Sequence, residues 1–344
     1  MTLSTEKTRL LAAAVMLATP FVLSACGSSD DQPESGGTSS AAADGECPTS
    51  PVDVVASVDQ WGDIVSQLGG ACANVTTVLA SSSVDPHHYE PAPSDAALFD
   101  GAQLVVINGG HYDEWAAKLA TASAPEAPVI DAVEISGVDA GHAGHDHEGH
   151  DHEGHDHEGG EGHDHGGDGD PHVWYLPSAV NQVAEAVTAE LSALSPDAAS
   201  YFDQRHTAFE NVMQPYDETI EAIKSRAAGK SFAATESVFN NMAAALGLED
   251  RTPEEYRLAS ANGTEPTPAG LDGFLRLLGE GGVDVLIYNT QTEGSVPQKI
   301  RAAAEEAGVP VVGVTETVPP NAQSFQTWQV GQLDSLAEAL GVPA

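Results

Sequence analysis

Histidine and carboxylate side chains alternate in one repetitive tract near the middle of the chain. Gly-His-Asp-His-Glu occurs three times in succession over 144–158, and a partial copy follows at 162–165. Neutral imidazole beside carboxylate suits zinc, copper, nickel or cobalt better than magnesium or calcium, and the repeated glycines predict a loop. We therefore predict that loop 141–169 binds several ions weakly, with solvated low-complexity sequence as the alternative. Nine of the fourteen histidines lie in this loop, namely His142, His145, His147, His150, His152, His155, His157, His163 and His165.

A selective metal site needs ligands that the fold holds in place, and four other segments offer them. Each follows or adjoins an apolar segment, and α/β sheets bind ligands where their strands end. The segments are Asp-Pro-His-His-Tyr-Glu-Pro at 85–91, Asp-Pro-His-Val-Trp at 170–174, Ala-Thr-Glu-Ser-Val-Phe at 234–239 and Tyr-Asn-Thr-Gln-Thr-Glu at 288–293.

These segments also allow ordinary structural roles. The two histidines at 87 and 88 can face solvent, and His172 can be a hydrogen-bonded core residue. Glu236 ends an apolar run, where a carboxylate is costly unless it is paired or coordinated. His111 follows another predicted strand and is a weaker candidate ligand.

Two series of alternating strand-like and helix-like segments predict the elements that position these residues. Strands are predicted at 52–57, 74–79, 103–107 and 128–130, and then at 231–235, 283–288 and 310–314. Between the series, a helical pattern with Ser195 as N-cap runs to Gly229, about 45 Å at 1.5 Å per residue. Pro215 predicts that this helix either bends or divides in two. The predicted fold class is α/β, with parallel-sheet lobes at 47–194 and 230–344 joined by a long, rigid interlobe helix at 195–229.

The chain begins with the features of an exported lipoprotein. Lys7 and Arg9 precede an apolar run that ends in Leu-Ser-Ala-Cys, which is typical of a signal peptide over 1–25 followed by a lipidated Cys26. The apolar run is shorter than the roughly 20 residues that a helix needs to span a bilayer. Residues 26–46 are rich in serine, glycine and alanine, which predicts a flexible tether on the outer face of the cell membrane.

The remaining cysteines and the net charge narrow the function further. Cys47 and Cys72 form an even pair in a compartment that permits disulfides, and each precedes a predicted strand, so we expect them to be bonded. The alternative is that the two cysteines are not bonded and are simply small residues of the core. The formal charge is −40, from 52 acidic against 12 basic residues. Such a charge argues against binding of nucleic acid and against binding of the folded part to an anionic membrane surface.

Taken together, the lipobox and the four segments resemble the cluster-A zinc and manganese solute-binding lipoproteins of ABC importers. The resemblance covers essentially the whole mature chain, and it implies two α/β lobes joined by one long helix with the metal between them. It also implies that His87, His172 and Glu236 are metal ligands. Many family members place an aspartate after the strand predicted at 283–288. Here Glu293 is the nearest carboxylate and Gln291 a neutral oxygen donor, so the fourth ligand is Glu293, Gln291 or water.

The resemblance implies a monomeric, extracytoplasmic receptor that delivers Zn²⁺ to the permease and ATPase of an ABC importer. The histidine-rich loop favours zinc, and Mn²⁺ is the alternative ion. We expect no enzyme activity, because neither a His-Glu-x-x-His element nor a nucleophile elbow is present in the sequence. A zinc hydrolase with Glu236 as general base is the rival from another class, and a surface adhesin or periplasmic metal buffer is the second.

Overall fold

Two parallel four-stranded sheets organise the residues that the computed structural model describes, which are 45–80, 86–138, 169–292 and 294–342. The first sheet has the strand order β2-β1-β3-β4 and the second has the order β6-β5-β7-β8. The strands are β1 (Val52–Val58), β2 (Ala73–Leu79), β3 (Leu104–Ile107), β4 (Val129–Asp131), β5 (Ser231–Ala234), β6 (Glu249–Asp250), β7 (Val285–Asn289) and β8 (Val311–Val314). The predicted α/β class with two parallel-sheet lobes is confirmed.

Helices connect the strands and cover the sheets. The first is an example of how the sequence determines them, because Trp61, Ile64, Val65 and Leu68 recur at helical spacing and are fully buried. It ends where Gly70 adopts a φ of 50°, which a residue with a Cβ atom disfavours. The helices are α1 (Asp59–Gly69), α2 (Pro93–Phe99), α3 (Glu114–Ser123), α4 (Ala132–Ser136), α5 (Pro177–Leu194), α6 (Ala199–Arg226), α7 (Asn240–Ala245), α8 (Glu254–Ala261), α9 (Pro268–Gly279), α10 (Ser295–Ala307) and α11 (Phe325–Leu340).

The long helix α6 joins the two sheets in sequence. Its 28 residues correspond to about 42 Å at 1.5 Å per residue, and it runs without a break through Pro215. It starts later than predicted, because Pro196–Ala198 forms a 3₁₀ turn. Ser195 makes no side-chain cap, and its hydroxyl lies 2.9 Å from that of Thr49 instead.

One apolar core continues from the first sheet to the second. Tyr175, Tyr216, Phe325 and Trp328 belong to the same buried cluster as the strands of both sheets. Tyr175 also donates a hydrogen bond to the carbonyl oxygen of Thr315 at 2.7 Å. The two lobes are therefore packed against each other rather than merely tethered.

The predicted bond between Cys47 and Cys72 is confirmed, with a Cα–Cα distance of 5.0 Å. The register explains it, because Val52 of β1 pairs with Ala73 of β2, and each cysteine lies shortly before its strand. Cys26 lies outside the described residues. Among the helices that are described, none has the length and hydropathy needed to cross a bilayer.

Candidate metal centre

The first histidine lies in the loop that follows β2. His87 occupies the 3₁₀ turn Pro86–His88, and its ring packs edge-on against Tyr112 with centroids 4.6 Å apart. Tyr112 is fully buried, so it forms a fixed wall behind the imidazole. His87 keeps 33% of its side chain exposed. It is therefore held on one side and reachable on the other.

The second histidine is fixed by contacts from both lobes. Asn108, at the end of β3, donates its amide to the carbonyl oxygen of Pro171 at 2.9 Å, and Trp61 donates to the Asn108 amide oxygen at 3.0 Å. From the other lobe, Asn241 donates to the carbonyl oxygen of His172 at 3.1 Å. The His172 side chain is only 6% exposed. The peptide carbonyls before and after the His172 Cα atom are thus each held by an amide side chain.

A carboxylate that the sequence analysis did not select completes this arrangement. Glu316 follows β8, and the Gln291 side-chain oxygen accepts the backbone N–H of Glu316 at 2.5 Å and of Thr317 at 3.2 Å. Gln291 therefore holds the loop that carries Glu316, and two hydrogen bonds already use the oxygen that was considered as a metal ligand. Glu316 is 13% exposed at its side chain.

His87, His172 and Glu316 converge on one point. Each histidine Nε2 lies 3.9 Å from Glu316 Oε2, and one ligand atom from each of the three residues lies within 4.8 Å of the others. Tetrahedral ligands about 2.0–2.2 Å from a zinc ion are about 3.3–3.5 Å apart, so shifts of about 1 Å or less close the shell. His172 Nε2 is buried and makes no hydrogen bond within the described residues. A cation gives this nitrogen the partner it lacks.

Glu236 lies beside this group but is not a member of it. Its carboxylate accepts a hydrogen bond from the Asn289 amide at 2.5 Å, and the same amide nitrogen donates to Glu316 at 2.8 Å. Two carboxylates thus approach one neutral donor in a largely buried place. This excess of negative charge favours a bound cation.

Electrostatics couple His172 to the surrounding carboxylates. Burial disfavours the imidazolium, yet Asp170 and then Glu316 and Glu236 raise the pKa of His172 above its ordinary value of 6.5. Asp170 Oδ1 lies 2.5 Å from His172 Nδ1. With the proton on Nδ1, Nε2 keeps the lone pair that metal binding requires, and it lies 3.9 Å from Glu316 Oε2.

The sequence-predicted residues are thus only partly brought together. His87 and His172 converge as expected, Glu236 lies next to them, and Glu293 lies outside the described residues. Of residues 141–169 only Gly169 is described, so the nine histidines of this loop lie outside the described residues and the predictions for them stay predictions. Glu316 was missed, although its place two residues beyond the strand 311–314 is the signal that selected Glu236.

Known proteins of similar sequence include two that are named for zinc. The zinc-binding lipoprotein AdcA of Streptococcus pneumoniae is 30% identical over 215 residues, which are 57% of this chain and 39% of AdcA. The high-affinity zinc uptake system protein ZnuA of Bacillus subtilis is 29% identical over 172 residues, which are 50% of this chain and 51% of ZnuA. The chain thus spans about two fifths to half of the length of these relatives.

The fold has relatives among solved structures. The SBP FpvC from Pseudomonas aeruginosa, in complex with Mn²⁺, has a TM-score of 0.66 at 18% identity, and the match covers 85% of this chain and 98% of FpvC. This likeness concerns the fold alone. The model of the ZnuA family, described as zinc-uptake complex component A periplasmic, matches residues 54–339. Because this match covers most of the sequence, the chain belongs to the ZnuA family.

Proposed function

We propose that this protein is an extracytoplasmic receptor that captures a zinc ion and delivers it to an ABC importer. The observation that carries the proposal is the convergence of His87 Nε2, His172 Nε2 and Glu316 Oε2. Glu236, which shares the Asn289 amide with Glu316, is the proposed fourth ligand within the described residues. Glu293 remains the alternative predicted from the sequence.

Zinc is favoured over manganese by the donor set and by the histidine-rich loop. Two imidazoles and one or two carboxylates form a tetrahedral shell that zinc accepts without a ligand-field penalty. Manganese prefers more oxygen donors, and the pair Glu236 and Glu316 makes it the second candidate. AdcA and ZnuA are named for zinc, while FpvC was solved with Mn²⁺. Direct competition between the two ions decides between them.

We assign binding and transfer rather than catalysis to this site. His172 and Glu316 are 6% and 13% exposed at their side chains, so two of the three convergent residues are largely shielded from solvent. A hydrolase needs an open coordination position for water. Stoichiometric binding without hydrolytic turnover is the expected behaviour, and turnover of a peptide or ester substrate with zinc would contradict it.

The membrane anchor and the importer complete the proposal. Lipidation of Cys26 would keep the receptor at the outer face of the membrane, as expected for a protein that works with a permease and its ATPase. Fatty-acid labelling that disappears with Cys26→Ser tests the anchor. Deletion of the gene in its source organism is expected to lower uptake of radioactive zinc at low external concentration.

Zinc titration of the purified protein tests the site itself. The protein is titrated against a chelating dye with and without residues 141–169, and the variants are His87→Ala, His172→Ala and Glu316→Gln. We expect one tight site in both forms, and each variant should lose affinity by about 100-fold or more, above the 10–100-fold cost of removing an outer-shell partner. A metal buffer would instead lose most of its capacity with the loop.

His206→Ala is the matched control. This histidine lies on α6, where its Nδ1 is 2.8 Å from the Thr188 hydroxyl, and it is not part of the convergent group. The control should bind zinc like the unmodified protein. If the double variant His87→Ala/His172→Ala retains the tight site, the proposed function is wrong.

A further inference from the structure

A cavity of about 370 Å³ has His87 among its lining residues. Its walls include His87 itself together with Glu90, His111, Glu114 and Lys118, and we call this cavity the vestibule. His87 is 33% exposed, against 6% and 13% for the other two convergent side chains. Of the three convergent side chains, His87 is the one that lines the vestibule, so this cavity adjoins the metal centre.

The backbone holds His111 in an uncommon conformation at this place. His111 has a φ of 65° and is the one non-glycine residue with a positive φ in the described part of the chain. Such backbone is unfavourable for a residue with a Cβ atom, and departures of this kind cluster at ligand sites. His111 lies within the turn in which the Tyr112 N–H donates to the carbonyl oxygen of Gly109 at 3.1 Å, and 60% of its side chain is exposed. The next residue, Tyr112, forms the buried wall behind His87.

The vestibule carries the same kinds of donor as the centre, but they are more exposed. His111 Nδ1 contacts Glu114 Oε1, and Glu90 lines the same space. Lys118 donates to Glu114 Oε2 at 3.0 Å, with 75% of its side chain exposed. An ion pair this exposed is weak, so a divalent cation can displace the lysine from the carboxylate. Imidazole and carboxylate together then provide ligands of intermediate softness, which suit zinc.

We infer that His111 and Glu114, assisted by Glu90, form a loading site that receives a zinc ion and passes it to His87. The inference rests on the proposed function, because it assigns the access route of the same centre. Exposed side chains lose conformational entropy when they bind an ion, so they bind it weakly, and weak binding suits a site that must release its ion inwards. A group that acts only along the route changes the rates of binding and release by the same factor and leaves the affinity unchanged.

Stopped-flow tryptophan fluorescence of the full-length protein with zinc as the probe tests this inference. Trp174 reports occupancy, because its ring centroid lies 5.2 Å from that of His172. The association rate should fall in His111→Ala and in Glu114→Gln. In the double variant it should fall by about tenfold, which is the lower end of the increase in association rate that a charged cleft provides. The dissociation rate should fall by the same factor, and the equilibrium titration should not change.

Two control variants separate the loading site from general effects. Glu126→Gln removes an exposed carboxylate of the same lobe that does not line the vestibule. His206→Ala removes a histidine that does not line the vestibule either. Both variants should bind zinc at the rate of the unmodified protein. The inference is overturned if His111→Ala leaves the rates unchanged, if Glu126→Gln slows them equally, or if affinity falls because release becomes faster. Failure of the unmodified protein to bind zinc would instead overturn the proposed function.

Discussion

Replacing Asp170 by asparagine tests how the fold prepares His172 for an ion. Asp170 Oδ1 accepts the backbone N–H of His172 at 3.0 Å and lies 2.5 Å from its Nδ1. Asparagine has nearly the same shape, so the substitution removes the negative charge while the backbone hydrogen bond can remain. The ring then loses the carboxylate that fixes its tautomer and strengthens Nε2 as a donor.

Two effects of opposite sign determine the size of the change. Loss of an outer carboxylate partner costs about 10–100-fold in metal affinity, which is about 1.4–2.7 kcal/mol. Asp170 also raises the pKa of His172, although burial opposes the imidazolium, and protonated imidazole cannot bind the ion. In the unmodified protein, affinity therefore falls as the pH drops through a pKa above 6.5. In Asp170→Asn this fall occurs at lower pH, so the deficit is largest near pH 8 and narrows towards pH 6.

Zinc competition with a chelator, measured from pH 6 to pH 8 on the protein without residues 141–169, provides the assay. Asp272→Asn, an exposed carboxylate on α9, is the matched control and should follow the unmodified protein at every pH. Circular dichroism and the melting temperature establish that each variant is folded. The reasoning is refuted if Asp170→Asn binds as tightly as the unmodified protein at pH 8, or if its deficit grows on acidification.

Two further predictions concern the stability of the metal-free protein. Burial raises the pKa of Asp59 from 3.8 to about 6, so its contribution to stability is complete below about pH 3.8 and is lost as the pH rises through about 6. A pKa shift of one unit corresponds to about 1.4 kcal/mol, so Asp59→Asn should increase the free energy of unfolding by at most about 3 kcal/mol at pH 7.5. Below pH 4 the increase should be small, because Asp59 is then neutral in both states and the amide still accepts the Val318 N–H. Urea denaturation at both pH values checks this, and equal stabilisation at both would contradict it. Replacing Cys47 and Cys72 by serine opens a loop with a sequence separation of 25, which should cost about 3–4 kcal/mol in the same assay while zinc stoichiometry is unchanged. Unmodified protein treated with a reductant is the control, and it should match the double variant.

The sequence was sufficient for most of the strands because each is a short apolar run between turn residues. The prediction at 103–107, for example, differs from the observed Leu104–Ile107 by one residue. β6 was missed because Glu249–Asp250 has two exposed acidic residues and no apolar pattern. α5 was also missed, although Val180, Val183, Val187 and Leu191 recur at helical spacing behind a proline.

The site was harder to predict because its residues meet only through the order of the strands. β7 and β8 are neighbours; β7 ends in Asn289, and Thr235 and Glu236 follow the end of β5. Glu293 was predicted because it follows the strand 283–288, whereas Glu316 follows the neighbouring strand β8. Pairing of Asn289 with Val314 brings the ends of β7 and β8 to one level. This register is a property of the sheet, so local sequence does not reveal it.

The packing between the lobes limits how an ion can leave. Asp63 on α1 accepts the backbone N–H of Phe325 at 2.8 Å, and Tyr175 binds the carbonyl of Thr315 within a continuous apolar core. Opening the lobes as rigid bodies would expose this core, at about 25 cal/mol for each Å² of apolar surface. A local movement is less costly, and His87 is the most exposed of the three convergent residues, on a short turn outside the sheet. We therefore expect exchange of the ion to begin with the displacement of His87, which links release to the same face as the vestibule.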